Sequence, residues 1–231
     1  MIWKEWKDLL LSGVRANLLQ PLMVFGILGI VLPLSFSRGW INLEPGPVLI
    51  ILYAPFIFIT SFIGDAIAGE RERHTLETLL ASRISDRAIL FGKLVVAVGF
   101  TWGMTFVCLV LGAIVVNLYL GQAQWIFYAP INLFLVVLVM SFLTILLAAS
   151  GGVLISLKSA TVRQAAQTMV VGEFMLGFAV YGVIRILPAG TIASLTTSQI
   201  VGIILCALAA LDAILLAASL LNFQRSRLIL S

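Results

Sequence analysis

One feature constrains this chain more than any other. Its apolar residues come in continuous runs of about 20, each ended by a short charged stretch. A bilayer core roughly 30 Å thick needs about 20 helical residues at 1.5 Å each, so the runs read as membrane-crossing helices. Composition agrees: of 231 residues, 61% are hydrophobic and only 10% charged, and mean hydropathy is +1.15. A water-exposed surface needs more charge than that. The sequence therefore excludes a soluble enzyme, a nucleic-acid-binding module and a disulfide scaffold. It also excludes a transmembrane β-barrel, because the runs do not alternate. The fold class expected is all-α, a polytopic membrane protein with one transmembrane domain over 1–231.

Residues 2–17 precede the first run and are amphipathic. Trp3, Trp6, Leu10 and Val14 recur on one helical face, with Lys4, Asp8, Ser12 and Arg15 opposite. Two tryptophans near one face suit the membrane interface, so 1–17 is expected to lie along it. The same 17 residues hold no short apolar core before a cleavage site, so no signal peptide is expected. Six spans follow, at 19–37, 47–67, 93–117, 131–155, 165–184 and 200–222. The first is expected to kink near Pro33, and the second contains Pro55. If the amino terminus is cytoplasmic, twelve of the fourteen Lys and Arg residues fall on the inner side, leaving Arg38 and Arg185 outside. That bias places both termini in the cytoplasm and the chain in the cell (inner) membrane as a multi-pass protein. The net charge of +4 thus reports topology, and no nucleic-acid partner is expected.

The loop between spans two and three is unlike the others. Residues 65–93 hold ten of the 24 charged residues, five acidic and five basic. Leu76, Leu79 and Leu80 form a short apolar stripe at helical spacing, Thr75 can cap that helix, and Glu77 lies in its first turn. Ser85 can cap a second helix starting at Asp86. Positive-inside topology alone would ask only for basic residues. A solvated loop would also carry mixed charge, but acids combined with a leucine stripe suit a protein partner.

The stretches Glu70-Arg71-Glu72, Thr75-Leu76-Glu77, Leu79-Leu80 and Ile89-Leu90-Phe91-Gly92-Lys93 resemble the first cytoplasmic loop of ATP-binding-cassette (ABC) exporter permeases of the second type. Trp3-Lys4-Glu5-Trp6 is similar to the amino-terminal elbow helix of that family. His74 and Arg83 depart from the pattern, standing where many members have Gly and Pro. The resemblance implies a permease subunit whose loop 68–92 carries a cytoplasmic coupling helix, seated on a separate ABC ATPase. The coupling residues would then be Glu70, Arg71, Glu72, Thr75, Leu76, Glu77, Leu79 and Leu80.

The sequence holds no G-x-x-x-x-G-K-[ST] loop. Gly92-Lys93 is followed by Leu94, and Arg87 occupies the first glycine position. ATP and Mg would therefore bind the partner ATPase, and no cofactor is expected in this chain, a transport subunit and not an enzyme. Six spans are few to enclose a path, so a two-fold dimer with a second copy or a homologue is expected. Gly99 and Gly103, and the row Ala209, Ala213 and Ala217, are small-residue candidates for helix contacts.

Two acids lie inside spans at similar depth, Glu173 in the fifth and Asp212 in the sixth. Intramembrane charges are costly and commonly face a cavity or a partner, which makes both candidates for a translocation path. Each could instead serve as a hydrogen-bonding contact between helices. Thr60, Ser61, Thr101, Thr105, Asn132, Gln167 and Thr168 are expected to be interhelical bonds. With one histidine and two cysteines, both in apolar runs, no metal site is expected. A self-powered secondary carrier and an intramembrane enzyme are the alternatives. Neither an internal repeat nor a catalytic cluster supports them.

Overall fold

A computed structural model describes Met23 and residues 25–64, 68–69, 72, 86–121, 125–186 and 196–223. Every regular element among the described residues is helical. A wide π-helical turn, Ile27–Val31, runs into α1 (Leu32–Phe36). Then come α2 (Arg38–Ile41), α3 (Pro45–Gly64), α4 (Asp86–Leu120), α5 (Ile131–Lys158), α6 (Val162–Ile186) and α7 (Thr197–Asn222). Helices α3, α4, α5 and α7 are long and apolar enough to cross a bilayer. With 35 residues, α4 is about 50 Å long and exceeds the hydrocarbon core. Asp86 is its first described residue, and Ser85, the expected cap, lies outside the described residues. Of the expected first span, 19–37, the described residues form an apolar helix over Ile27–Phe36, and 19–22 and 24 lie outside them. The expected helix over 1–17 and most of the loop 68–92 lie outside the described residues.

Local chemistry explains several boundaries. Pro33 has no N–H and crowds the preceding turn, and the wide turn sits directly before it. Ser37 then takes a positive φ of 48° and ends α1. Pro45 and Pro47 stand in the first turn of α3, where amides have no helical acceptor. Thr196 caps α7 reciprocally with Gln199: each side chain accepts the other residue's backbone N–H.

The chain forms two compact units. The first is drawn from residues up to Phe58 and from Val95–Ile145; the second from Ile59–Leu94 and from Leu146 onward. An aromatic network holds the first. Trp40 is 2% exposed, and its Nε1 donates to the Tyr128 hydroxyl at 2.9 Å. Tyr128 donates in turn to the Leu109 carbonyl at 2.9 Å and stacks on Phe134, ring centroids 4.7 Å apart. Burial pushes the Tyr128 phenol above its ordinary pKa, which keeps that proton in place. Asn117 fastens α4 to the segment after it, its side-chain amide bonding both the N–H and the carbonyl of Ile126. Trp40 lies so close to α4 that a Cβ on Gly112 would come within 2.7 Å of Nε1.

The second unit contains the end of α3, the start of α4, the end of α5, and helices α6 and α7. Small residues let its helices approach. A Cβ on Gly152 would meet Met169 Cε at 2.5 Å and Ile63 Cγ2 at 2.7 Å, and Gly64 faces Ala165 and Ala166. Ser156 accepts from the Ala68 N–H at 3.0 Å and donates to the Gly64 carbonyl at 3.3 Å. Helix α7 touches this unit along a narrow stripe in which Asp212, Ser219 and Phe223 are buried, and Leu215 lies against Gly151.

Candidate functional site

Of the eight coupling residues read from the sequence, Glu72 alone lies among the described residues; Glu70, Arg71, Thr75, Leu76, Glu77, Leu79 and Leu80 lie outside them. Glu72 is exposed, and its Oε2 accepts the backbone N–H of Val162 at 3.2 Å. Val162 is the first residue of α6, where amides have no acceptor inside the helix. Neighbouring groups at this end bond within the turn. Thr161 Oγ1 accepts from Gln164 N–H at 3.2 Å, and Gln164 Oε1 accepts from Ala160 N–H at 3.1 Å. Thr161 and Gln164 thus have the Ser/Thr-x-x-Glu/Gln spacing of a capping box, a signal present in the sequence that could have located this helix start. The motif's closing Ile89-Leu90-Phe91-Gly92-Lys93 also resolves physically. Ile89 and Leu90 are fully buried, Phe91 faces outward, and Lys93 is buried.

The two acids that the sequence places within apolar runs have different surroundings. Glu173 is half-buried on α6 and accepts a hydrogen bond from Thr60 Oγ1 on α3 at 2.9 Å. Asp212 on α7 is 3% exposed, and neither carboxyl oxygen has a hydrogen-bond partner among the described residues. The structure therefore does not join Glu173 and Asp212 by a hydrogen bond. It gives Glu173 the helix-to-helix bond that the sequence left as one option. Asp212 lacks such a bond, which is unusual for a buried polar group.

The polar residues expected to bond across helices divide in the same way. Thr60 does so. Thr105 and Thr168 bond instead to carbonyls four residues back on their own helices, and Thr101 is buried without a partner for its hydroxyl. At helical spacing a hydroxyl can always reach its own backbone, so sequence position cannot separate the two outcomes. The small-residue rows also changed place. Nothing described lies within 4 Å of a Cβ at Gly99 or Gly103, and Ala209, Ala213 and Ala217 are exposed. The close approaches occur at Gly112 and Gly152.

Long apolar helices, small-residue seams and carboxyls set deep within two helices define a multi-pass helical membrane protein. Residues 1–178 match the model of the ABC-2 type transporter family, and the chain belongs to that family. It is therefore a permease, the membrane-embedded transport subunit of an ABC transporter. No curated protein matches the chain.

Proposed function

We propose that this permease is an exporter subunit powered by a separate cytoplasmic ATPase that docks on the loop 68–92. The chain crosses the cell (inner) membrane six times, with both termini cytoplasmic, an elbow helix over 1–17 along the interface and a coupling helix in the loop. Two copies, or one copy and a homologue, pair about a two-fold axis to enclose the path. ATP and Mg bind the ATPase. The observation that carries this reading is the loop itself. Five acids, five bases and the stripe Leu76, Leu79 and Leu80 are concentrated there, in a sequence without a phosphate-cradling loop. Glu70, Arg71, Glu72, Thr75, Leu76, Glu77, Leu79 and Leu80 form the docking set. The leucines act as anchors in an apolar groove and the charges lie at its rim. Glu173 and Asp212 contribute to the translocation path. Asp212's buried, unpartnered carboxyl and the half-buried position of Glu173 support that assignment.

The test is Leu79→Asp. It puts an unpaired charge into the groove, which costs several kcal/mol of docking energy. The variant should insert at normal membrane levels and fail to retain the ATPase in a pull-down. Undiminished recovery of the ATPase would remove the loop from the docking role.

A further inference from the structure

We infer that Glu72 is a positioning residue: it ties the motif-bearing loop to the first turn of α6, so that displacement of the loop is handed directly to that helix. The inference rests on the proposed docking of an ATPase at this loop. Its basis is a hydrogen bond that spans 90 residues of sequence, from the Val162 N–H to Glu72 Oε2 at 3.2 Å. The other bonds at this helix start, to Thr161 Oγ1 and Gln164 Oε1, are local; Glu72 supplies the acceptor from a distant segment. A carboxylate here also meets the positive end of the helix dipole.

A second bond fixes the same segment at the other side of the α5–α6 turn. The Ala68 N–H is held by Ser156 Oγ, which itself donates to the Gly64 carbonyl. Residues 68 and 72, four apart, are thus fastened to the end of α5 and the start of α6. Gly64, Ala165 and Ala166 bring α3 and α6 into contact beside these bonds. Eleven residues further along α6 is Glu173, bonded to Thr60. A pull on the loop at residue 72 therefore reaches the helix that carries one of the candidate path residues. The motif acid at 72 thus makes a bond within its own chain, a second role beside its place in the proposed docking set.

The two roles respond differently to substitution. Glu72→Gln removes the charge and keeps an oxygen acceptor; Glu72→Ala removes both. Val162→Pro removes the donor without touching the loop, and proline suits the first helical position. The assay uses the permease–ATPase complex with Cys206→Ser and a fluorophore at Phe178→Cys, a position 73% exposed on α6. Recovery of the ATPase and the fluorescence change on adding ATP are both measured. Val162→Pro, which lies outside the docking set, should retain the ATPase, and the ATP response of each variant is expressed per bound ATPase. The ATP response should fall about fivefold in Glu72→Ala and in Val162→Pro, the scale of one lost hydrogen bond, while Glu72→Gln, which keeps the acceptor, keeps most of it. A normal response in Val162→Pro, or equal damage in Gln and Ala, would overturn the inference. Failure of the unsubstituted chain to hold the ATPase would instead overturn the docking reading. Hydrogen exchange at the Val162 amide then tests the tie alone: Glu72→Ala should speed it about fivefold, and unchanged exchange would refute the bond.

Discussion

The two units are held together by different chemistry. In the first, a large aromatic side chain is buried whole and its polar atom is answered: Trp40 by Tyr128, and Tyr128 by Leu109. In the second, small residues bring backbones together, and carboxyls and hydroxyls make the specific links: Ser156 to Ala68 and Gly64, Thr60 to Glu173, Glu72 to Val162. The second unit also contains the buried carboxyl of Asp212, which has no hydrogen-bond partner among the described residues. Aromatic packing with closed bonding favours one rigid arrangement. Thin seams and isolated polar bonds can be rearranged at lower cost. The unit that carries Glu72, Glu173 and Asp212 is the one of the second kind.

That contrast can be broken by substitution. Trp40→Ala should have the largest effect, lowering stability by about 3–5 kcal/mol through a cavity and a lost bond. Its apparent Tm in detergent should fall far more than that of Trp125→Ala, since Trp125 is exposed; equal falls would mean the aromatic network does not hold the first unit. Gly112→Ala should cost about 1–3 kcal/mol, because the Trp40 ring is pinned by its bond to Tyr128 and cannot yield. Gly152→Ala should cost less, since one of its obstacles is the flexible end of Met169. The reverse order of Tm losses would deny that the second unit is the more adaptable. Thr60→Val should cost about 1 kcal/mol by removing the donor to Glu173, and Thr60→Ser should be close to neutral. Matching losses in Val and Ser would show that packing, not the hydroxyl, matters there. The smallest effect is expected at Gly99→Ala, where nothing described lies within 4 Å and alanine gains up to about 1 kcal/mol of helix propensity. Loss of the dimer in cross-linking at unchanged Tm would assign the Gly99 and Gly103 row to the seam between subunits.

How much was legible in advance depended on the range of the interaction. The long helices α5 and α7 were readable, as the runs 131–155 and 200–222, because a continuous apolar run is a pattern of neighbours in sequence. Glycine seams were not. Gly99 and Gly103 have the spacing of a packing motif, yet the close contacts lie at Gly112 and Gly152, set by Trp40, Met169 and Ile63 from other parts of the chain. Glu72 was legible as part of a charged loop between two apolar runs. Its bond to Val162 was hidden, because no local pattern relates residues 90 positions apart.

From the sequence by itself came the class of protein, its helical character and its family. Each is a property of composition or of short-range order, and burial in lipid rewards continuous apolar helices whatever their neighbours. Tertiary structure alone decided which polar groups meet. Glu173 and Asp212 look alike in sequence, two acids inside apolar runs. Only the placement of α3 against α6 gives Glu173 the Thr60 hydroxyl, and only the narrow buried stripe of α7 encloses Asp212 with no hydrogen-bond partner among the described residues. A hydrogen bond forms within about 3 Å, and that distance is set by how helices pack, not by their order along the chain.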